Sequence, residues 1–489
     1  MEQGTKRKVR IAVIGGGITG LCAAYYSGRM YREAGFDPEV TLLEASDRLG
    51  GKIKTLRRDG FVIERGPDSF LARKLPIIEL SRELGIENEL VTLNPKAKKT
   101  YIVSRGKLHL MPAGLVLGVP TQWKPFTAST LISPLGKLRA ALDLLLPASK
   151  REGDESLGGF LRRRLGRELV DRVAEPLLSG IYAGDAYRIS LQATFPQFRA
   201  AEKQYGSLIV GLGRGAGASR GGAVNEEAIP EHARGSVFLS YRRGLSALIE
   251  RLEEQIREDG GRIRLRTNVL AVRRNGEAQK LDLSDGDPLE ADVVIMTVPP
   301  PLLAGLLPEV PEAQLFADME YGSVANIVFG YRKSEFGVPL DGSGFVVPRS
   351  EGRLITACTW TSSKWSHTAP EDGVLIRCYV GRIGDERWMA MDDETLQAEV
   401  QNDMRELMGI QSVPGFVDIT RLPKSMPQYR VGHPERIETL RRALAQSTPG
   451  VYATGAGFQG VGLPDCIQQA RETVRMSLRP FSEASTNRA

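Results

Sequence analysis

Val9-Arg10-Ile11-Ala12-Val13-Ile14-Gly15-Gly16-Gly17-Ile18-Thr19-Gly20 decides how this chain folds. Val9, Ile11, Val13 and Ile14 read as a buried parallel strand, and Gly15, Gly17 and Gly20 then fall in the Gly-x-Gly-x-x-Gly spacing that opens a helix. Gly15 permits the tight turn, Gly17 lets a pyrophosphate approach the backbone, and Gly20 lets helix pack closely on strand. The bare amides from Gly16 through Ile18 and Thr19, with the positive end of the helix dipole, face the phosphates. A second strand, residues 39–43, delivers Glu44, whose carboxylate accepts hydrogen bonds from a ribose. The glycine spacing alone is a weak signal. Strands on both sides and the acid at the right distance make it a dinucleotide site.

The next residues separate a nicotinamide from a flavin. Glu44 and Ala45 lead into Ser46-Asp47-Arg48-Leu49-Gly50-Gly51-Lys52, a second glycine pair with basic neighbours. A longer cofactor that runs on past the pyrophosphate uses such a pair for backbone access; a nicotinamide does not need it. Glu64-Arg65-Gly66-Pro67-Asp68-Ser69 follows, with a further turn at Gly66-Pro67.

These runs resemble the superfamily of FAD-dependent amine oxidases, phytoene desaturases and protoporphyrinogen oxidases. Four longer stretches narrow the resemblance: residues 64–71, Glu-Arg-Gly-Pro-Asp-Ser-Phe-Leu; residues 175–185, Glu-Pro-Leu-Leu-Ser-Gly-Ile-Tyr-Ala-Gly-Asp; Ser425-Met426-Pro427-Gln428-Tyr429; and residues 454–466, Thr-Gly-Ala-Gly-Phe-Gln-Gly-Val-Gly-Leu-Pro-Asp-Cys. Together they are similar to the Firmicute-type coproporphyrinogen III oxidases, over nearly the whole chain. The resemblance implies non-covalent FAD, with Gly15, Gly16, Gly17, Ile18, Thr19, Gly20, Glu44, Ala45, Lys52, Gly66, Pro67, Asp68, Ser69, Val269, Leu422, Gly455, Val461, Gly462 and Leu463 holding it. Two positions depart from relatives. Asp68 stands where mitochondrial protoporphyrinogen oxidases carry an arginine, and Leu422 stands where relatives often have a tryptophan.

At 489 residues the chain is too long for one ordinary core. The net charge of +6 is too small a surplus to argue for nucleic acid, and it suits an acidic small substrate or an anionic membrane surface. Four cysteines without close spacing or clustered histidines make a disulfide framework or zinc site unexpected; Cys466 reads as a buried thiol. Met1 to Arg10 is charged and lacks the apolar core of a secretory signal, and no run reaches a membrane span, so a cytoplasmic location is expected.

The expected architecture is mixed α/β: a Rossmann-like FAD-binding domain interrupted in sequence, a mixed-sheet substrate domain and a helical insert. The cofactor domain is read as residues 1–71, 236–299 and 430–489, and the substrate domain as 72–110, 192–235 and 300–429, with a mobile loop over 211–235. The insert is read as 111–191, where Leu135, Leu138, Leu142 and Leu145 recur at helical spacing, as do Leu157, Leu161, Leu165, Leu169 and Val173. Arg162, Arg163, Arg164 and Arg167 beside the second stripe read as solvated; the alternative is a docking face for a bilayer at the inner membrane surface. One strand is expected over 263–272 and one over 293–296, and Asp465 is expected to cap the last helix.

No paired carboxylates, nucleophile triad or metal cluster stands out, and His109, His232, His367 and His433 are scattered. A flavoenzyme tolerates this, because the ring carries the redox step. No catalytic side chain is assigned. The resemblance implies oxidation of coproporphyrinogen III to coproporphyrin III, with three O2 reduced to three H2O2, in haem synthesis upstream of a ferrochelatase. Protoporphyrinogen IX is the alternative substrate, and a catalytically idle flavin-binding partner of haem enzymes the alternative of another class. Arg73, Lys74, Tyr379 and Tyr429 are the candidate substrate contacts, with Lys96, Lys98 and Lys99 as weaker ones.

Overall fold

A computed structural model describes residues 6–150, 152–218 and 226–486. Residues 1–5, part of the N-terminal stretch read for a leader, and 219–225, part of the expected loop, lie outside the described residues.

The glycine-rich opening sits at the centre of a five-stranded sheet. Its strands run Arg262–Arg264, Asp37–Leu43, Lys8–Ile14, Val293–Met296 and Val451–Ala453 in spatial order, and every neighbouring pair is parallel. A parallel sheet of this kind is covered on both faces, and the two-residue alternation of a strand assigns each side chain to one of them. Val9, Ile11, Val13, Val293 and Ile295 pack with the helices Ile18–Glu33, Ser246–Glu258 and Leu463–Thr486. Ala12, Ile14, Val294, Met296, Val451 and Ala453 pack on the other side with the helix His433–Ser447. Each buried branched side chain there contributes about 1.5–3 kcal/mol.

The single strand expected over 263–272 is two. Arg262–Arg264 stays in the parallel sheet, and Val269–Asn275 leaves it for an antiparallel meander with Ala278–Leu283 and Leu289–Ala291. The break lies at Arg266, whose φ of +52° turns the chain, while Arg266 and Thr267 donate to the carbonyls of Ser46 and Glu44. Val269 is thereby carried to the open end of the sheet.

A seven-stranded sheet stands over this layer, in the order Phe416–Pro427, Tyr321–Arg332, Gly373–Val380, Ile355–Thr359, Gly342–Val346, Lys99–Ser104 and Lys107–Leu110. It is antiparallel except where Gly342–Val346 meets Lys99–Ser104. The helix Asp393–Met408 closes its outer face, begun by Asp392, which accepts the Thr395 amide at 2.8 Å, and ended by left-handed Gly409.

The helices between Trp123 and Ala218 share a third core. Leu157, Leu161, Leu165, Leu169 and Val173 are buried in it, as their spacing predicts. Two expectations are corrected. The loop read from residue 211 is helical as far as Ala218, in the helix Leu208–Ala218. Arg164 is not solvated: it is 0% exposed, ion-paired to Asp143 and bonded to the Gly206 carbonyl at 2.6 Å. A guanidinium removed from water has to find a carboxylate and carbonyls, and Asp143, itself 0% exposed, supplies the charge.

No helix among the described residues is long and apolar enough to cross a membrane, and no group of His, Cys, Asp and Glu there could hold a metal.

Candidate cofactor and substrate site

Gly15 lies where the central strand ends, with φ +105° and its amide on the Leu43 carbonyl at 2.8 Å. An L side chain resists that conformation, so the turn requires glycine. A Cβ on Gly20 would collide with the Gly15 carbonyl oxygen, so the helix–strand approach requires a second one. Gly17 caps the helix in extended backbone, and no side chain bonds the first turn. Nothing lies within 4 Å of where its Cβ would point. The result is an uncapped helix start opening on free space, where an anion is stabilised by the amides and the dipole.

Glu44 is already oriented beside it. One carboxylate oxygen accepts the Gly16 amide at 2.6 Å, and the other accepts the Ser46 amide at 2.8 Å and the Ser46 hydroxyl at 2.7 Å. A carboxylate has about four acceptor positions, so capacity is left for a hydroxyl donor. Gly50 donates to the Gly16 carbonyl at 2.8 Å and pairs with Gly17, which lays the second glycine pair along the first. Ala45 is exposed at the groove's edge, and Ser69 donates to Asp68 at 2.7 Å.

Lys52 follows that pair. Its amine reaches the Ser425 carbonyl and lies 6.0 Å from the centre of the Tyr321 ring. Surrounding protein desolvates its amine and lowers its pKa, the residue is nonetheless exposed, and no carboxylate lies within ion-pair distance among the described residues. Two buried hydroxyls nearby in sequence to the groove, Ser425 and Thr454, have no hydrogen-bond partner. A cation without a counter-ion, orphaned hydroxyls and an uncapped helix start are what a bound dinucleotide would complete. These residues fit FAD.

The segment Gly455 to Leu463 forms the far wall. Gly455 has φ +117°, Val461 packs on the helical core, and Leu463 begins the C-terminal helix. Asp465 therefore lies inside the first turn rather than capping it, and binds Lys74 at 2.6 Å. Gly66 fits against the Lys52 carbonyl, and Val269 is buried beside Ile14 and Leu43. Leu422 is half-buried opposite Val324 in the large sheet.

The candidate substrate contacts scatter. Arg73 is exposed, and Lys74 is engaged by Asp465. Lys96 and Lys98 are exposed, and Lys99 pairs with Asp341 at 2.6 Å. Tyr379 is stacked under the Arg377 guanidinium, 4.7 Å from its ring centre, and burial pushes its hydroxyl up to about 12. Tyr429 is fully buried, with its hydroxyl on the Ala456 carbonyl.

Asp68 has company that sequence spacing does not reveal. Burial alone would raise its carboxyl, but Lys364, 3.2 Å away, and Arg377 outweigh burial and hold it down to about 2. Two cations face one carboxylate, so the local charge is positive although residue 68 is an anion. Lys364 and Arg377 lie about three hundred residues away from Asp68 in the chain, and only pairing of the large sheet with the cofactor layer joins them. The loop behind them also encloses a small cavity, lined by Glu64, His367 and Trp365 among others. Burial, outweighing bonds from Leu245 and Thr55, raises the Glu64 carboxyl to about 7.

The model of the family described as "Flavin containing amine oxidoreductase" matches residues 18–476. The chain is 43% identical to the coproporphyrinogen III oxidase of Bacillus subtilis (strain 168), covering 96% of this chain and 98% of that one. It is 39% identical to the coproporphyrinogen III oxidase of Staphylococcus aureus (strain NCTC 8325 / PS 47), covering 94% and 97%. A crystal structure from Exiguobacterium sp. 255-15, named for protoporphyrinogen oxidase, superposes with a TM-score of 0.83 at 39% identity, covering 96% and 99%.

Proposed function

Because the chain belongs to the flavin containing amine oxidoreductases, we propose that it oxidises coproporphyrinogen III to coproporphyrin III in haem biosynthesis. It is an FAD-dependent oxidoreductase. The observation that carries the substrate reading is the 43% identity to a coproporphyrinogen III oxidase along nearly the entire length of both chains.

When bound, FAD would supply the hydride-accepting and oxygen-reducing chemistry. The macrocycle undergoes this oxidation three times, with three O2 consumed and three H2O2 released, and aromatisation supplies much of the driving force. The chain's own residues bind and orient. The uncapped helix start at Gly17 would take the pyrophosphate, Glu44 would take the adenosine ribose, and Lys52 would supply charge beside them. The backbone from Gly455 to Leu463 would hold the ring. Lys364 and Arg377, with Asp68 between them, give the slot the positive charge that propionates need. No side chain is assigned as a general base.

The protein acts in the cytoplasm and touches the inner membrane face through exposed leucines of its helical region. Its product passes to a ferrochelatase, whose metal insertion requires the aromatic ring. Comparing steady-state kcat/KM on coproporphyrinogen III and protoporphyrinogen IX tests the assignment. Coproporphyrinogen should be preferred; the reverse order overturns it.

A further inference from the structure

Four hydrogen bonds tie the Gly455–Leu463 wall to the protein by its carbonyl oxygens. Tyr429 donates its hydroxyl to the Ala456 carbonyl. His433 Nε2 meets the Phe458 carbonyl at 3.0 Å. Gln469 donates to the carbonyls of Gln459 and Gly460. Against this, the amides of Val461 and Gly462 find no acceptor among the described residues. The Phe458 and Gln459 amides are bonded to the Gly455 carbonyl and the Gln469 side chain, so the segment is fixed up to Gly460 and its unbonded amides are those that follow.

The two rings doing much of the holding form one unit. Tyr429 and His433 stack face to face, centroids 4.4 Å apart and planes 11° from parallel, and both are buried. Tyr182 packs edge-on against Tyr429 at 5.9 Å, and Phe316 edge-on against His433 at 6.1 Å. Backbone fixes the unit as well: Ser190 donates to the Tyr429 carbonyl at 2.7 Å, and Asp154 accepts the Gly432 amide at 3.1 Å. Burial holds His433 down to about 4, so it is neutral, and the one ring proton sits on Nε2 because a carbonyl can only accept.

We infer that Tyr429 and His433 are positioning residues that fix the carbonyls of Ala456 and Phe458 and so hold the unbonded amides of the wall toward the flavin ring. The inference rests on the reading that places this wall along the ring. It departs from the expectation that Tyr429 contacts substrate: a fully buried hydroxyl already given to a carbonyl has no donor left for a macrocycle. Amides fixed in place stabilise negative charge on a reduced ring without reorganising when it forms. A slackened wall loses part of that stabilisation.

The test uses the full chain loaded with FAD. Tyr429→Phe removes the hydroxyl and keeps the ring; His433→Leu removes the donor, and His433→Gln restores an N–H near Nε2. The readouts are the flavin midpoint potential in anaerobic titration, the visible circular dichroism of the bound flavin, and separate kcat and KM. Tyr429→Phe and His433→Leu should make the potential more negative, change the flavin spectrum and lower kcat about tenfold, the worth of one neutral hydrogen bond. KM should stay put, and His433→Gln should recover most of the potential. Unchanged potential and spectrum, with only thermal stability lowered, overturn the inference. A raised KM with unchanged potential also overturns it and returns Tyr429 to the substrate. A wild-type chain that takes up no FAD removes the premise, whereas one that binds FAD but ignores coproporphyrinogen defeats only the substrate reading.

Discussion

Lys364 shows how a single side chain changes the sign of a site. It faces Asp68 at 3.2 Å and stands over the rings of Phe238 and Trp365. Lys364→Met should raise the KM for coproporphyrinogen about tenfold, a loss of one charge-assisted contact, and affect protoporphyrinogen less, since vinyls replace two of the four propionates there. Equal effects on both substrates would remove Lys364 from propionate binding. His433 makes a second prediction, about pH. Its folded pKa of about 4 lies below its ordinary 6.5, so its contribution to stability is complete above pH 6.5 and is lost as pH falls toward 4. Two and a half pH units of such shift correspond to on the order of 3 kcal/mol. His367, also near 4 because of burial and Arg242, acts in the same direction. Glu64, raised to about 7, opposes both, since its neutral form favours the fold most below pH 4.5. His433→Gln keeps the donor and removes the titration. Its melting temperature should therefore fall less than the wild type's between pH 7 and pH 5, and parallel curves would refute the shift. None of these environments can be read from four histidines scattered along a chain, because burial and distant partners create them.

At the scale of elements, the helical region shows two leucine stripes of helical spacing with opposite fates. Leu157, Leu161, Leu165, Leu169 and Val173 close a core. On the helix Pro134–Ala141 and just after it, Leu135 is 78% exposed, Leu138 63% and Leu145 82%. Periodicity announces an apolar face but not what covers it, and here the nearby chain does not. Burying such a stripe in lipid gains roughly 25 cal/mol per Å² of apolar surface. The chain should co-sediment with vesicles containing anionic lipid, and Leu138→Asp with Leu145→Asp should abolish this while sparing kcat on dispersed substrate. Equal sedimentation of the variant would exclude the stripe as the contact. The same scale explains the split strand at Arg266 and the misplaced cap. Asp465 has the chemistry of a helix cap, but the helix starts two residues earlier at Leu463, and Lys74 takes the carboxylate.

For the molecule as a whole, a bound cofactor couples binding to stability. A ligand that binds only the folded chain adds about 2.7 kcal/mol at one hundred times its Kd. Added FAD should thus raise the melting temperature of flavin-free protein, and Gly17→Val, which fills the open side of the helix start, should remove the rise. A rise that persists in the variant would place FAD elsewhere.

The strand–glycine–helix opening and its acid were legible in the sequence, because each demand there is local: a turn only glycine can make, a helix start and a carboxylate one strand later. So were four of the five parallel strands, Lys8–Ile14, Asp37–Leu43, Val293–Met296 and Val451–Ala453, drawn from distant segments; the fifth, Arg262–Arg264, reads Arg-Ile-Arg and carries no apolar run of its own. What the tertiary structure alone decided is which side chains meet across layers. Lys364 and Arg377 reach Asp68 across about three hundred residues, while Tyr429 and His433 reach the carbonyls of Ala456 and Phe458, and Arg164 reaches Asp143, across some twenty to thirty, and in each case only packing between elements brings them together. Hydrogen bonding along the backbone and apolar periodicity are written within a few residues. Charge pairing and burial are properties of packed neighbours, and the neighbours are chosen by the fold.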